Sequence, residues 1–299
     1  MLVSYQSLSI EKMGVKKKYT IHIIDKNTKN KINDKNITYF RGNIKNAEVF
    51  NNFKYKYDAV FHIAAQASAR ICEENFREGI ESNFIGTINL CNWAKLYRPK
   101  KVIFASSMAV YKSSKYPLNE MEILKPNSIY GKTKFESEKL IKNLKKYNIT
   151  AVITRLFNVY GPGQSYKNLK QGMVSIYSYY ALFDRKIKVT GSLERFRDLI
   201  YISDVIDTYI KLLKSRKSIT LNIGTGEKTT VAYLLKQICK LTNLDFKKDI
   251  KILSSHSGDV FGTYASTTRL KRINRPKIKL IEGLKAVIND IEKFKRREK

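Results

Sequence analysis

The chain has 299 residues, 43% hydrophobic and 11% aromatic, too apolar for a disordered polypeptide and long enough to bury a full core in one large or two modest domains. Lys and Arg number 57 against 26 Asp and Glu, a formal charge of +31, and no run approaches the ~18 uninterrupted apolar residues that span a bilayer. Cys72, Cys91 and Cys239 cannot all pair and lack CxxC spacing, and the start Met1-Leu-Val-Ser-Tyr-Gln6 lacks the basic and apolar stretches of a secretory leader, so a soluble, cytoplasmic globular protein is expected.

Short apolar runs rich in β-branched and aromatic residues alternate with segments of helical period. Residues 19–24 read as a buried strand, and 59–63 as a second. Residues 83–97 carry apolar side chains at three- and four-residue spacings, which predicts a helix. A strand at 101–105, a helix at 130–147 and a strand at 151–155 follow. Both faces of each strand are largely apolar, as in parallel strands covered by helices on both sides. The alternation predicts an α/β fold with a doubly wound parallel sheet. The loop Tyr160-Gly-Pro-Gly-Gln-Ser165 breaks the pattern and predicts a division into 1–160 and 161–299, with some later elements packing back on the first domain. Beyond it, strands are expected at 187–190, 198–202 and 219–223, and helices at 203–214, 229–241 and 281–294.

The charge is mostly lysine, spread from Lys16-Lys17-Lys18 through 142–146 to 293–299. No Cys/His finger, aromatic nucleic-acid stripe or basic zipper helix accompanies it. It describes a solvated surface, and no dedicated nucleic-acid or membrane partner is expected.

Chemistry concentrates between Phe104 and Lys139. A strand ends in Phe104-Ala-Ser-Ser-Met-Ala-Val-Tyr111, and Asn127-Ser-Ile-Tyr-Gly-Lys-Thr-Lys134 opens a helix. Tyr130 and Lys134 then share a helix face one turn apart. An ammonium close to a phenol favours the phenolate, and moving a tyrosine from ~10 toward 7 takes about 4 kcal/mol. Ser107, at a strand's carboxyl end, can hydrogen-bond the oxygen that Tyr130 deprotonates. Alone, Tyr-x-x-x-Lys fits equally a surface tyrosine lying over a lysine stem.

With the strand-end serines added, the chain resembles the extended short-chain dehydrogenase/reductase family, in particular its nucleotide-sugar epimerase and dehydratase branch. The resemblance continues in order through Asp58-Ala-Val-Phe-His-Ile-Ala-Ala-Gln66, Asn83-Phe-Ile-Gly-Thr87, Arg155-Leu-Phe-Asn-Val-Tyr-Gly-Pro-Gly163, Arg197-Asp-Leu-Ile-Tyr201 and Asn222-Ile-Gly-Thr-Gly226. It implies a Rossmann-like NAD-binding domain over 1–160, a mainly substrate-binding region over 161–299 for a UDP- or TDP-sugar, and a homodimer paired through helices 83–97 and 130–147. It implies three catalytic residues: Tyr130 as base, Lys134 tuning it and orienting the nicotinamide ribose, and Ser107 steadying the oxygen. Asp25 is the implied ribose ligand, and Asn43, Ile44, Ile63, Ala64, Ala65 and Asn83, with Tyr130 and Lys134, the implied NAD contacts. Ser107, Asn158, Arg197 (on the pyrophosphate) and Asp259 are the implied substrate contacts. No metal is expected.

In the dehydratase branch an acid pair follows the strand-end hydroxyl residue. Here Met108 and Ala109 stand there and neither moves a proton, so the sequence resembles the 4-epimerases. The expected reaction is C4 epimerisation of a UDP-sugar (glucose, galactose or a relative) through a 4-keto sugar. The alternatives are a non-catalytic member and a reductase or decarboxylase of the same fold. The chain departs from the pattern at its start. It has no Gly-x-x-Gly-x-x-Gly turn, the only glycine before Gly42 being Gly14, so the central strand and phosphate loop are expected to be missing. Two explanations stand: a start upstream of Met1, favoured by the intact triad, or a decayed copy. Asn43 replaces a usual aspartate, and His256 a usual arginine.

Overall fold

The computed structural model describes residues 19–27, 32–164, 166, 168–254 and 261–298. In chain order its first elements are β1 (Ile21–Asp25), β2 (Ile37–Arg41), β3 (Val60–His62), α1 (Ala69–Glu74), α2 (Phe76–Gly79), α3 (Gly86–Tyr97), β4 (Lys101–Ser107), α4 (Ile129–Asn143) and β5 (Thr150–Leu156). Then come β6 (Asn158–Tyr160), α5 (Met173–Phe183), β7 (Ile187–Thr190), β8 (Phe196–Arg197), β9 (Leu199–Tyr201), α6 (Ile202–Lys214) and β10 (Ile219–Ile223). The last are β11 (Thr229–Thr230), α7 (Val231–Thr242), β12 (Ile250–Leu253), β13 (Gly262–Thr263), α8 (Thr268–Lys271) and α9 (Leu280–Arg297).

Two compact units result. One comprises Met1–Tyr111 as far as it is described, Ile123–Leu156 and Ile206–Leu221; the other comprises Lys112–Glu122, Phe157–Val205 and Asn222–Lys299. Neither is continuous in sequence: Ile206–Leu221, beyond the division expected after residue 160, belongs to the first unit, and Lys112–Glu122 to the second.

The first unit is built on parallel strands because each has two apolar faces to bury. One sheet runs in the order β10-β5-β4-β3, with Val60 opposite Val102 and Lys101 through Ser107 opposite Thr150 through Leu156. On one side Val102, Phe104, Ala151 and Ile153 pack with Leu90, Trp93 and Ala94 of α3 and Ile141 of α4. α6 contributes Tyr209, whose ring meets Phe61 and whose hydroxyl is 3.0 Å from that of Thr154. The buried Lys101 ammonium donates to the carbonyls of Leu212 and Leu213 at the end of α6. β1 and β2 form a separate parallel pair. Among the described residues no strand pairs with the other edge of β1 or of β3.

The second unit packs α5, α7 and α9 around β7 and β9, through Val174, Tyr177, Val189, Leu199, Leu235, Ile238, Leu284 and Ile291. α5 escaped the sequence reading because Met173-Val-Ser-Ile-Tyr-Ser-Tyr-Tyr-Ala-Leu-Phe183 has no polar face from which a period can be read. No helix is long and apolar enough to cross a membrane among the described residues.

Candidate active site and cofactor pocket

β4 ends at Ser106 and Ser107, and the Ser107 hydroxyl accepts the Ala109 N–H at 3.2 Å, turning the chain into the short 3-10 turn Met108–Val110. α4 starts at a serine cap: the Ser128 hydroxyl accepts the Gly131 N–H at 3.0 Å. Gly131 is required by close approach, because a Cβ there would lie 2.3 Å from the Ala109 carbonyl oxygen. That approach seats the first turn of α4 against the end of β4 and carries Tyr130 to Ser107.

Tyr130 is partly buried and its hydroxyl is hydrogen-bonded with Ser107. Lys134 is only 3% exposed; its ammonium donates to the Ala105 carbonyl at 2.8 Å and lies 4.9 Å and 5.9 Å from the ring centres of Phe104 and Tyr130. Burial pushes the phenol up to about 12, against a smaller lowering by Ser107. Burial also pulls Lys134 down to about 8. Loss of hydration is the largest influence on both groups.

Beneath the triad lies a buried network. Arg155 reaches Glu138 through two hydrogen bonds, Nε to Oε1 at 2.9 Å and Nη2 to Oε2 at 2.8 Å, while its Nη1 donates to the Tyr111 hydroxyl at 2.8 Å. The Ser106 hydroxyl donates to Glu138 at 2.7 Å. Glu138 continues the four-residue spacing of Tyr130 and Lys134, so the sequence signal was there, masked by the abundance of surface charge on α4.

The implied cofactor contacts gather in part. A small cavity of about 70 Å³ at the carboxyl ends of β1 and β3 is lined by Asp25, Asn43, Ile44, Ala64 and Ala65, the position where open α/β sheets take ligands. Asp25 Oδ1 accepts the Asn27 N–H at 2.9 Å; the carboxylate retains the capacity to accept ribose hydroxyls. The residues present therefore fit the adenosine end and, through Tyr130 and Lys134, the nicotinamide end of a dinucleotide; the sequence offers no glycine-rich loop for the phosphates between them.

Ile63 follows β3 and does not line this cavity. Asn83 does not line it either. It is buried in the π-helical turn Ile80–Ile85, its carboxamide oxygen accepting the Gln66 N–H at 2.7 Å and its nitrogen donating to the Gln66 carbonyl and Thr133 hydroxyl. It tethers the loop after β3 to α4.

In the second unit, the Asn158 carboxamide oxygen is buried with no hydrogen-bond partner among the described residues. Arg197 is buried and its Nη1 donates to the carbonyls of Phe196 and Phe261. Asp198, which the sequence reading passed over, is fully buried and holds the 222–226 turn by accepting N–H groups of Thr225 and Gly226 at 2.7 and 2.9 Å. His256 and Asp259 lie outside the described residues.

The strand-end serine and the start of the Tyr-Lys helix thus lie together at the carboxyl end of β4. The model of the NAD-dependent epimerase/dehydratase family matches residues 10–224. The chain belongs to that family. It is similar to a putative UDP-glucose 4-epimerase of Methanocaldococcus jannaschii, 31% identical over 92% of this chain and 91% of that one. It is also similar to a UDP-glucuronate 4-epimerase of Thermodesulfobacterium geofontis, 28% identical over 85% and 79% of the two chains. Among solved structures, a UDP-glucose 4-epimerase of Thermotoga maritima with UDP-glucose superposes with a TM-score of 0.88 at 28% identity, covering 96% of this chain and 95% of that one. The family uses NAD and includes UDP-sugar 4-epimerases and dehydratases.

Proposed function

We propose that this chain is a cytoplasmic, homodimeric enzyme that epimerises a UDP-sugar at C4. The observation that carries the reading is the meeting of Ser107, Tyr130 and Lys134 beside Met108 and Ala109, which offer no acid pair for dehydration. Asp25, Asn43, Ile44, Ala64 and Ala65 hold the adenosine end of NAD, and Lys134 and Tyr130 the nicotinamide end. Held there, NAD would supply the hydride acceptor and donor for transient oxidation at C4. The Tyr130 oxygen takes the proton of the C4 hydroxyl and gives it back, while Ser107 holds the sugar oxygen by a hydrogen bond. Lys134 holds positive charge beside the phenol as it ionises. Asn158, through its unpartnered carboxamide oxygen, and Arg197 serve the sugar nucleotide, with Asp259 on the same ligand.

The test is conversion of UDP-galactose to UDP-glucose by protein shown to contain NAD. No conversion, and none with the N-acetylhexosamine or uronate analogues, overturns the reading; net NADH consumption or CO₂ release points instead to a reductase or decarboxylase. Tyr130→Phe is expected to retain NAD and lose about 10²–10⁴ in rate, the scale of a positioned base. A loss under tenfold removes Tyr130 from that role.

A further inference from the structure

Ser107 sits on a turn whose two ends are held by one buried ion pair. Before it, the Ser106 hydroxyl donates to Glu138 Oε1 at 2.7 Å; after it, the Tyr111 hydroxyl accepts from Arg155 Nη1 at 2.8 Å. Only Ser107-Met-Ala-Val110 runs between the two holds, and its middle is pressed against α4 where Gly131 approaches the Ala109 carbonyl. Arg155 stands opposite Ser106 in the register of β4 and β5, so the guanidinium reaches Glu138 from the strand next to the one it secures. Its cation also lies 4.9 Å from the centre of the Tyr111 ring. Three successive residues of β4 are thereby fastened to α4: Ala105 by Lys134, Ser106 by Glu138 and Ser107 by Tyr130.

Stability alone does not account for such a pair. Apolar side chains of similar volume fill the same space at no greater free energy, because taking two charges out of water offsets most of their attraction. What the ions add is direction: a planar guanidinium fork on a carboxylate has one geometry, and the remaining donor and acceptor sites then point at fixed places. Here those places are the two residues that bracket the Ser107 turn. We infer, on the strength of the reaction proposed above, that the Glu138–Arg155 pair is a positioning device: it holds residues 106–111 so that the Ser107 hydroxyl is kept against the Tyr130 phenol, on the oxygen that loses its proton. Neither ion takes part in the proton or hydride transfer; both act through Ser107.

Ser106→Ala and Tyr111→Phe each delete one hydroxyl and leave the ion pair in place. In either variant, kcat for the UDP-hexose or UDP-uronate that the parent converts is expected to fall by about 10–10², the scale of displacing a reacting group by about 1 Å, with KM unchanged. In a Ser107→Ala background the same two substitutions should change kcat by less than about twofold, since the group they displace is already gone. Glu138→Leu with Arg155→Met keeps the interior filled and should stay folded without regaining the parental kcat. A rise in KM at parental kcat overturns the inference, as does a loss that multiplies undiminished with that of Ser107→Ala, or a parental kcat in Glu138→Leu with Arg155→Met. If the parent converts no sugar, the proposed reaction falls and the geometry decides alone. Crystals of Ser106→Ala with Tyr111→Phe are expected to show the Ser107 hydroxyl withdrawn from Tyr130, and an unmoved hydroxyl overturns the positioning role.

Discussion

A phenol held at about 12 by burial has to lose its proton for the proposed chemistry, so the nearest positive charge decides how far the barrier falls. Lys134, at about 8, is largely ammonium at pH 7 and loses its charge above that value. Because the phenol at about 12 gains phenolate as fast as Lys134 loses its charge above about 8, activity in the proposed reaction is expected to rise with pH to about 8 and level off there. Lys134→Met removes that cation at every pH. Its activity should fall by about 10² or more, and the phenol, ionising later, should move the rising limb of the pH–rate profile to higher pH. An unshifted rising limb in the variant would leave Lys134 with a purely positional part. Residue-level roles in the second unit are less legible in sequence: Asp198 sits in the quoted Arg197-Asp-Leu-Ile-Tyr201 stretch, yet only the fold shows it gripping the turn at Thr225 and Gly226.

At the scale of elements, α4 owes its placement to charge as much as to apolar contact. Glu138 and Arg155 are 0% and 2% exposed, so Glu138→Gln leaves a buried guanidinium without its counter-ion. The expected cost is about 3–5 kcal/mol in urea unfolding, whereas Glu138→Leu with Arg155→Met should recover most of it. Equal losses in the single and double variants would contradict this. His62, on β3, is 1% exposed; burial, with the Lys134 ammonium adding to it, lowers its pKa from 6.5 to about 3, and its Nε2 meets the Thr87 hydroxyl at 2.8 Å. Between those values the unfolded chain binds a proton that the folded chain refuses. Stability is full above 6.5 and falls as pH drops toward 3, by up to about 1.4 kcal/mol per pH unit. Unfolding free energies between pH 7 and 4 should therefore slope more shallowly in His62→Gln than in the parent; identical slopes would assign the effect elsewhere. The strands β4, β5, β7 and β10 and the helices α3, α4, α6, α7 and α9 were legible within a few residues, because an apolar period survives wherever an element has a definite inner face. β2, β8 and α5 were not: β2 alternates too briefly, β8 has two residues, and α5 is apolar all round. Likewise, the Tyr130 and Lys134 pair could be read from spacing, but the buried hub at Asn83 could not, since its partners Gln66 and Thr133 are 17 and 50 residues away.

For the whole molecule, +31 spread over lysines predicts diffuse attraction to polyanions. Binding to random duplex DNA, followed by fluorescence anisotropy, should weaken by about 10³ or more between 50 and 200 mM salt, as release of counterions requires. Tight binding that persisted at 200 mM would demand a dedicated site and overturn the expectation of a merely solvated surface. The interleaving of the two units has a further bearing on synthesis. The first unit is not finished until residues 206–221 supply β10 beside β5 and the carbonyls that receive Lys101. A nascent chain emerging from the ribosome must keep β5 with a bare flank, and an ammonium without its acceptors, while some fifty intervening residues of the other unit are translated. Vectorial folding, one domain at a time, is closed to this polypeptide, and a holding chaperone has its longest opportunity in that interval.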